Sequence, residues 1–393
     1  MADLRRSSRR IRAAYGEGIA DRIPVLSPIS WHPLRSIDDE EPGGWRAEPG
    51  FRRLARMVQE HCDPAVPCNP VEFPNVLSPL PYQRFLEAPD ELVEELPTER
   101  VSAHRTRTTH VLHTTKGDLS WSFERDDGIE TSWDVRKPIE QPRDVETLLS
   151  VPFHFSKPPS VGYEPFRSHR RSAGADAICG GSINSMVAML VGVMSYELLL
   201  EWVLTEPTLV RLLADAWLER TWAKVQHLLS EGVGPFWHFN GVERASPPMM
   251  GRKQWEELVV PYDGEIMRRI KEYDPAARIH VHCHGKVATL LDSWIALGVD
   301  SIDPVEPPPQ GDITLAEARR RVGDRLTLYG NIEFCWMDMA SPSEIERAVR
   351  SAIEEGGPRF ILAPSATPHQ GHTERFNVNA LRYLETALRF GGR

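Results

Sequence analysis

Short apolar runs bounded by Gly, Pro and charged residues recur along the chain. Between them lie stretches with apolar residues every three or four positions. The first pattern predicts buried strands and the second amphipathic helices. The strand candidates are Ile23–Ile29, Ala175–Gly181, Pro235–Asn240, Arg278–His284, Ser301–Glu306, Leu326–Ile332 and Arg359–Ser365. The later helical candidates are Glu256–Tyr273, Lys286–Leu297, Leu315–Val322 and Ser343–Glu355, with Thr314 and Ser341-Pro342 as start signals. Strand–helix alternation predicts a parallel sheet with crossover helices. An eighth strand is expected between Cys62 and Val76. The predicted fold class is therefore α/β, one closed (β/α)₈ barrel of the TIM type spanning 1–393, rather than an open doubly wound sheet.

The region from about Glu91 to Arg171 breaks this rhythm. Thr106–Thr114 and Asp118–Phe123, with Lys116-Gly117 near the turn, predict a β-hairpin. A β-rich insertion over about 91–171 is expected to cap one end of the barrel. No internal repeat beyond the βα rhythm is visible. The start of the chain interleaves Arg5, Arg6, Arg9, Arg10 and Arg12 with Leu4, Ile11 and Tyr15, which predicts a short amphipathic helix rather than a targeting arm.

The chain has 393 residues, 41% of them hydrophobic, enough for a large core. Its formal net charge of −10 argues against nucleic acid and against an anionic membrane surface as partners. No run of 18 apolar residues predicts a membrane span. The five cysteines, Cys62, Cys68, Cys179, Cys283 and Cys335, are scattered and odd in number. They fit a reducing cytoplasm better than a disulfide scaffold.

The candidate chemistry lies in Arg278-Ile279-His280-Val281-His282-Cys283-His284-Gly285. Side chains two apart on a strand share a face, so His280, His282 and His284 should line up, with Ile279, Val281 and Cys283 opposite. Such a row suits a metal or an acid/base site. The plainer alternative is a strand whose histidines only hydrogen-bond to neighbours. Gly285 is expected to end the strand at a turn that a side chain would crowd or strain.

Ser8-Arg9-Arg10-Ile11-Arg12-Ala13-Ala14 and Asp21-Arg22-Ile23-Pro24-Val25 resemble the opening of the uroporphyrinogen decarboxylase superfamily. Val259-Val260-Pro261-Tyr262, His282-Cys283-His284-Gly285, Leu297-Gly298-Val299-Asp300, Gly311-Asp312-Ile313 and Gly330-Asn331-Ile332 resemble its C-terminal half, in the right order. The resemblance implies a TIM-type barrel with its site at the C-terminal ends of the strands. It also implies one of two activities, heme-pathway decarboxylation or methyl transfer linked to corrinoid carriers. The decarboxylases carry an Arg-Gln-Ala-Gly-Arg segment that binds substrate carboxylates. Here Ile29-Ser30-Trp31-His32-Pro33-Leu34-Arg35 stands in its place, and Arg35 alone is a poor substitute for paired arginines. A substrate with eight carboxylates needs several cations, so uroporphyrinogen itself is not expected.

The methyltransferase branch carries zinc on a His-x-Cys pair and a distant Cys. His282 and His284 match the pair, and no Cys occurs in Ala363-Pro364-Ser365-Ala366-Thr367, where the third is due. The resemblance thus implies a harder site, His282 and His284 with a carboxylate, suited to zinc or another divalent metal. Glu243, Glu306 and Glu333 all follow strand candidates. Glu243 is the preferred third metal ligand and a catalytic residue, because its strand should neighbour the histidine strand. His280, Glu306, Asn331, Glu333 and His369 are the substrate-binding candidates, with His372 in reserve. The resulting expectation is a cytoplasmic, metal-dependent methyltransferase acting on a small molecule or a corrinoid-bound methyl group. Its expected partners are the small-molecule substrate, a corrinoid protein and a second copy of the chain. The competing expectations are a cofactor-free decarboxylase using His282 or His284 as proton donor, and a non-catalytic binding barrel.

Overall fold

The structure is a computed structural model that describes residues 4–33, 37, 44–63, 88–127, 132–155, 157, 160–173, 180–368 and 372–392. The pattern of short apolar runs becomes a six-stranded parallel sheet. Its strands are Gly180–Asn184 (β6), Phe236–Asn240 (β7), Arg278–His282 (β8), Ser301–Asp303 (β9), Thr327–Ile332 (β10) and Phe360–Pro364 (β11). They lie side by side in chain order, and every pairing between them is parallel. The interiors of these strands are almost wholly buried, as parallel strands covered by helices require.

The expected first strand, Ile23–Ile29, is reduced to one parallel bridge between Val25 and Leu362 of β11. Leu26 N–H donates to the Leu362 carbonyl, and Leu362 N–H donates to Pro24 O. Pro24 and Pro28 have no N–H, so the ladder cannot extend further. On the other side of this segment Asp63 N–H donates to Val25 O at 2.8 Å. That is where the eighth strand was expected, but residues 64–76 lie outside the described ones. No closed ring of strands is found among the described residues.

Several boundaries differ from the sequence reading. The expected strand Ala175–Gly181 is found as Gly180–Asn184, with 175–179 outside the described residues, and the expected helix Lys286–Leu297 as Leu291–Ala296. The histidine strand ends at His282, not His284, and the next ends at Asp303, because Pro304 cannot donate to the ladder. The expected helix Glu256–Tyr273 is two helices, Arg252–Leu258 and Asp263–Tyr273. Pro261 disfavours helical backbone at the residue before it and has no donor of its own, so the chain breaks there. Two caps form as the sequence signals: Thr314 Oγ1 accepts from Glu317 N–H, and Ser341 and Glu344 make a reciprocal capping box.

The irregular region holds a separate antiparallel sheet of Val93–Glu95 (β1), Glu99–Ser102 (β2), Arg105–Thr114 (β3), Gly117–Asp126 (β4) and Trp133–Arg136 (β5). β3 and β4 form the expected hairpin, paired from Arg105–Asp126 to Thr114–Gly117. Leu112, Leu119 and Trp121 from this hairpin join the hydrophobic cluster that also contains the parallel strands.

The basic start is the helix Leu4–Ala14. Its Ile11 and Ala14, with Tyr15 just beyond, pack on Phe236, Tyr329 and Ile361 near the N-terminal ends of three sheet strands. No helix among the described residues is long and apolar enough to cross a membrane.

A candidate metal and acid–base site at the histidine strand

Strand register places the site. β8 pairs β9 so that His280 lies beside Ser301 and His282 beside Asp303, while His238 of β7 lies beside His280. The period of two holds along β8: Ile279, Val281 and Cys283 are buried in the hydrophobic core, and the three histidines face the other way. The rings of His282 and His284 stand 4.6 Å apart, edge to face.

Two carboxylates serve the three histidines, Asp303 for His280 and His282 and Glu306 for His284. His280 is held at both nitrogens, by Ser301 Oγ at Nδ1 (2.8 Å) and by Asp303 Oδ1 at Nε2 (2.8 Å). His282 Nδ1 meets the same Asp303 oxygen at 3.1 Å. His284 Nδ1 meets Glu306 Oε1 at 2.9 Å, and Gly285 N–H donates to Glu306 Oε2 at 2.6 Å. Both rim histidines, His282 and His284, therefore turn Nδ1 to a carboxylate and leave Nε2 available for a ligand or a proton.

Two glycines make the rim possible. Gly285 sits at φ +84°, a left-handed conformation that lets its N–H reach Glu306. A Cβ there would meet open space, so the expected crowding is absent and strain alone makes the position demanding. A Cβ on Gly311 would stand 1.9 Å from the Glu306 carbonyl oxygen, so only glycine lets that loop fold back behind the carboxylate.

The electrostatics follow from this packing. For Asp303, burial alone would raise the pKa, but His282 and His280 beside it hold it well below the ordinary carboxylate value. For His282, burial alone would lower the pKa. The charge and hydrogen bond of Asp303, helped by Glu243 and Glu306, instead raise it to about 9. Glu306 is lowered overall, with the His284 and Gly285 hydrogen bonds outweighing its burial. Cys283 is buried away from the row and its thiol is pushed well above its ordinary value.

His238 differs from the other histidines. Burial, with His280 beside it, lowers its pKa to about 3, so it is neutral. Its Nε2 is sealed from solvent with no hydrogen-bond partner. A buried unsatisfied polar atom costs about 1–3 kcal/mol, so this one calls for an explanation. Glu243 presents a second such atom. It sits in the short helical turn Val242–Ala245, its charge acts on His282, and its Oε2 is buried with no partner.

Among the described residues, one trio brings metal-ligating atoms within 4.8 Å of one another, namely His238, His280 and Asp303. The sequence reading had selected only His280 of these, and Glu243 is not in the trio. His238 was missed because it is a lone histidine inside Phe236-Trp237-His238-Phe239. Asp303 was missed because it read as one residue of an apolar strand. The signal that finds both is strand pairing, which brings them level with His280 and His282.

The other candidates fall as follows. Asn331 lies on β10. Glu333 is buried and holds two loops together, accepting from Cys335 N–H at 3.1 Å and from Ser365 Oγ at 3.3 Å. His369 lies outside the described residues. His372 packs on Phe51, Trp45 and Phe376, with Nδ1 3.1 Å from Asn377 Oδ1.

Beneath the row, Tyr15 Oη stands 2.6 Å from Ser301 Oγ and 2.7 Å from Tyr329 Oη. The result is an unbroken chain of hydrogen bonds from Tyr329 through Tyr15, Ser301, His280 and Asp303 to His282. Nothing in the sequence of residue 15 signals that contact, which spans 286 positions.

A parallel α/β sheet that carries histidines and carboxylates at the C-terminal ends of adjacent strands defines a class of proteins with their site at the strand ends. Within that class the chain belongs to the uroporphyrinogen decarboxylase (URO-D) family, which it matches over residues 128–381, well over half its length. Among solved structures it is similar to a methyltransferase from Methanosarcina mazei, at 16% identity and a TM-score of 0.59, covering 99% of both chains. It is also similar to a B12-independent methionine synthase from Shewanella sp. W3-18-1, in complex with selenomethionine. That likeness has 11% identity and a TM-score of 0.36 over 76% of each chain. At these identities the first likeness shows the fold, and the second adds nothing to it. No curated protein matches the chain in sequence.

Proposed function

We propose that this chain is a metal-dependent methyltransferase acting on a small molecule or on a corrinoid-bound methyl group. Its fold would be one (β/α)₈ barrel over 1–393, closed through the segment after Asp63, with residues 91–171 as an insertion. The observation that carries the reading is the rim pair: His282 and His284 each give Nδ1 to a separate carboxylate, beside a Glu243 oxygen that is buried and unpartnered. Carboxylate-oriented histidines with a free Nε2 are how metal-binding imidazoles are held. His282, His284 and Glu243 offer the donor types a divalent metal such as zinc takes, and their side chains would have to close on it, since their ligand atoms do not all lie within 4.8 Å of one another. When bound, the metal would supply Lewis acidity that lowers the pKa of a thiol or another nucleophile.

The chain's own residues supply the rest. Asp303 and Glu306 fix the tautomer and direction of the two rings. Gly285 N–H locks Glu306 in place. Asp303, Glu306 and Glu243 together give the rim an excess of negative charge that favours a cation over a polycarboxylate such as uroporphyrinogen. His280, Asn331 and His369 are proposed to border the substrate, whereas Glu333 is committed to Cys335 and Ser365. The reading places the enzyme in the cytoplasm, with a corrinoid protein as methyl carrier and a homodimer as its assembly.

The test is elemental analysis of protein prepared without chelator and resupplied with zinc, together with transfer from methylcobalamin to a thiol followed by its visible spectrum. Stoichiometric metal and methyl transfer support the reading. Absence of both overturns it.

One observation favours a second reading. Without metal, His282 is kept protonated near neutral pH by Asp303, which suits a proton donor for the carbanion left by decarboxylation. Release of CO₂ from a carboxylated small molecule by metal-free protein would put this reading first.

A further inference from the structure

The strands hold a second polar group one step below the rim. His238 and His280 lie in register on β7 and β8, with ring centroids 4.9 Å apart. Asp303 on β9 reaches His280 Nε2 at 2.8 Å. Ligand atoms of all three fall within 4.8 Å of one another, and His238 Nε2 is buried there without a partner. We propose that His238, His280 and Asp303 form a deeper metal site of their own, distinct from the rim set and suited to Zn²⁺ or a similar divalent transition metal. Two imidazoles and one carboxylate, with a fourth position open to water, are a donor set that zinc accepts.

The geometry is close to what the ion needs. Two ligands about 2.0–2.1 Å from a tetrahedral zinc stand about 3.3 Å apart. The His280–Asp303 contact must open by about half an ångström and the widest pair must close by up to about 1.5 Å, which side-chain torsions can supply. The support beneath is already built. Ser301 Oγ holds His280 Nδ1 at 2.8 Å, and Tyr15 and Tyr329 hold Ser301 in turn, which leaves Nε2 as the liganding atom. As the ion enters, any proton on His280 Nε2 leaves to solvent and its bond to Asp303 gives way to two metal–ligand bonds. No electron is transferred. Asp303 also touches His282, so filling the deep site would draw on the charge that serves the rim.

This site stands whether or not the protein transfers methyl groups, and its test reads metal, not activity. Crystals of the full chain soaked in zinc should show an anomalous peak bounded by His238, His280 and Asp303. In solution, His238→Gln should weaken the deep zinc at least 100-fold in a competition titration against a chelator, whereas His284→Ala should leave it unchanged. Circular dichroism checks that each variant is folded. If His238→Gln fails to fold, the anomalous map of the unmodified protein decides. The proposal is overturned if that map shows zinc only at the rim or nowhere, or if folded His238→Gln keeps wild-type zinc stoichiometry and affinity. Loss of methyl transfer with the deep zinc intact would sink the functional reading and leave this site standing.

Discussion

At the N-terminal end of the sheet, Tyr329, Tyr15, Ser301 and His280 pair hydroxyl to hydroxyl to imidazole, under cover of the first helix. At the other end, His282 and His284 meet Asp303 and Glu306, and a Glu243 oxygen is left over. The same strand supplies histidines to both ends. In the lower group the three hydroxyls and His280 Nδ1 satisfy one another, the pattern of a set that stabilises structure, and only His280 Nε2 turns to a carboxylate, that of Asp303. The rim carries more negative charge than its histidines neutralise and two imidazole nitrogens without mates. An imbalance held in a fixed geometry is what a site for a cation or a proton looks like. The contrast also shows that histidine count alone separates nothing: neighbours on the adjacent strand decide what each ring does.

The strongest way to break the comparison is to remove a rim ring. His282→Ala and His284→Ala should each abolish rim metal retention and lower methyl transfer by at least about 100-fold, as loss of a ligand does more than loss of its support. Wild-type zinc content at the rim in either variant would show that the ring is not a ligand. Next come the carboxylates. Glu306→Gln should weaken rim metal binding about 10- to 100-fold while leaving the fold intact, the usual cost of losing an outer partner, and isothermal titration measures it. Glu243→Gln should weaken binding too; unchanged affinity would free Glu243 of that role.

Gly285→Val should then cost about 1–3 kcal/mol in denaturant stability, because a β-branched residue is strained at φ +84°. Its activity should fall with the displacement of the Glu306 contact; full stability and activity together would refute this. At the lower end, Tyr15→Phe leaves Ser301 and Tyr329 short of a partner and should cost about 1–3 kcal/mol, with metal affinity at the rim unchanged. A large loss of rim metal in that variant would erase the distinction between the two ends.

A further effect is expected in pH dependence. In metal-free protein His282 has a folded-state pKa of about 9, raised from 6.5. Its contribution to stability is therefore complete below about pH 6.5 and is lost as pH rises through 9. Urea midpoints of wild type and His282→Gln should differ at pH 6 and converge near pH 10. A difference independent of pH would mean that the ion pair with Asp303 does not form.

The sheet was legible in the sequence because buried parallel strands are short apolar runs whatever they pack against. The parity of the histidine row was equally legible, since it needs only the period of two. What failed was anything set by one proline or by pairing between strands. Pro261 splits a helix that periodicity alone read as continuous, and Pro304 ends a strand early. Glu306 was readable as a strand-end carboxylate. Its neighbour Asp303, which contacts two histidines, was hidden in an apolar run until register placed it. Glu333 looked the equal of Glu306 by position, yet its oxygens are committed to Cys335 and Ser365.

The contact between Tyr15 and Tyr329 joins residues 314 positions apart. Contacts that distant are slow to form, because a long loop must close before any bond rewards it. On a ribosome adding residues from the N-terminus at about 5–20 per second, the first helix waits on the order of tens of seconds for its partner strand to appear. During that interval Ile11, Ala14 and Tyr15 have no mate from β10 or β11. The floor beneath the histidines thus cannot assemble until β10 and β11 have been made, long after the helix that covers it.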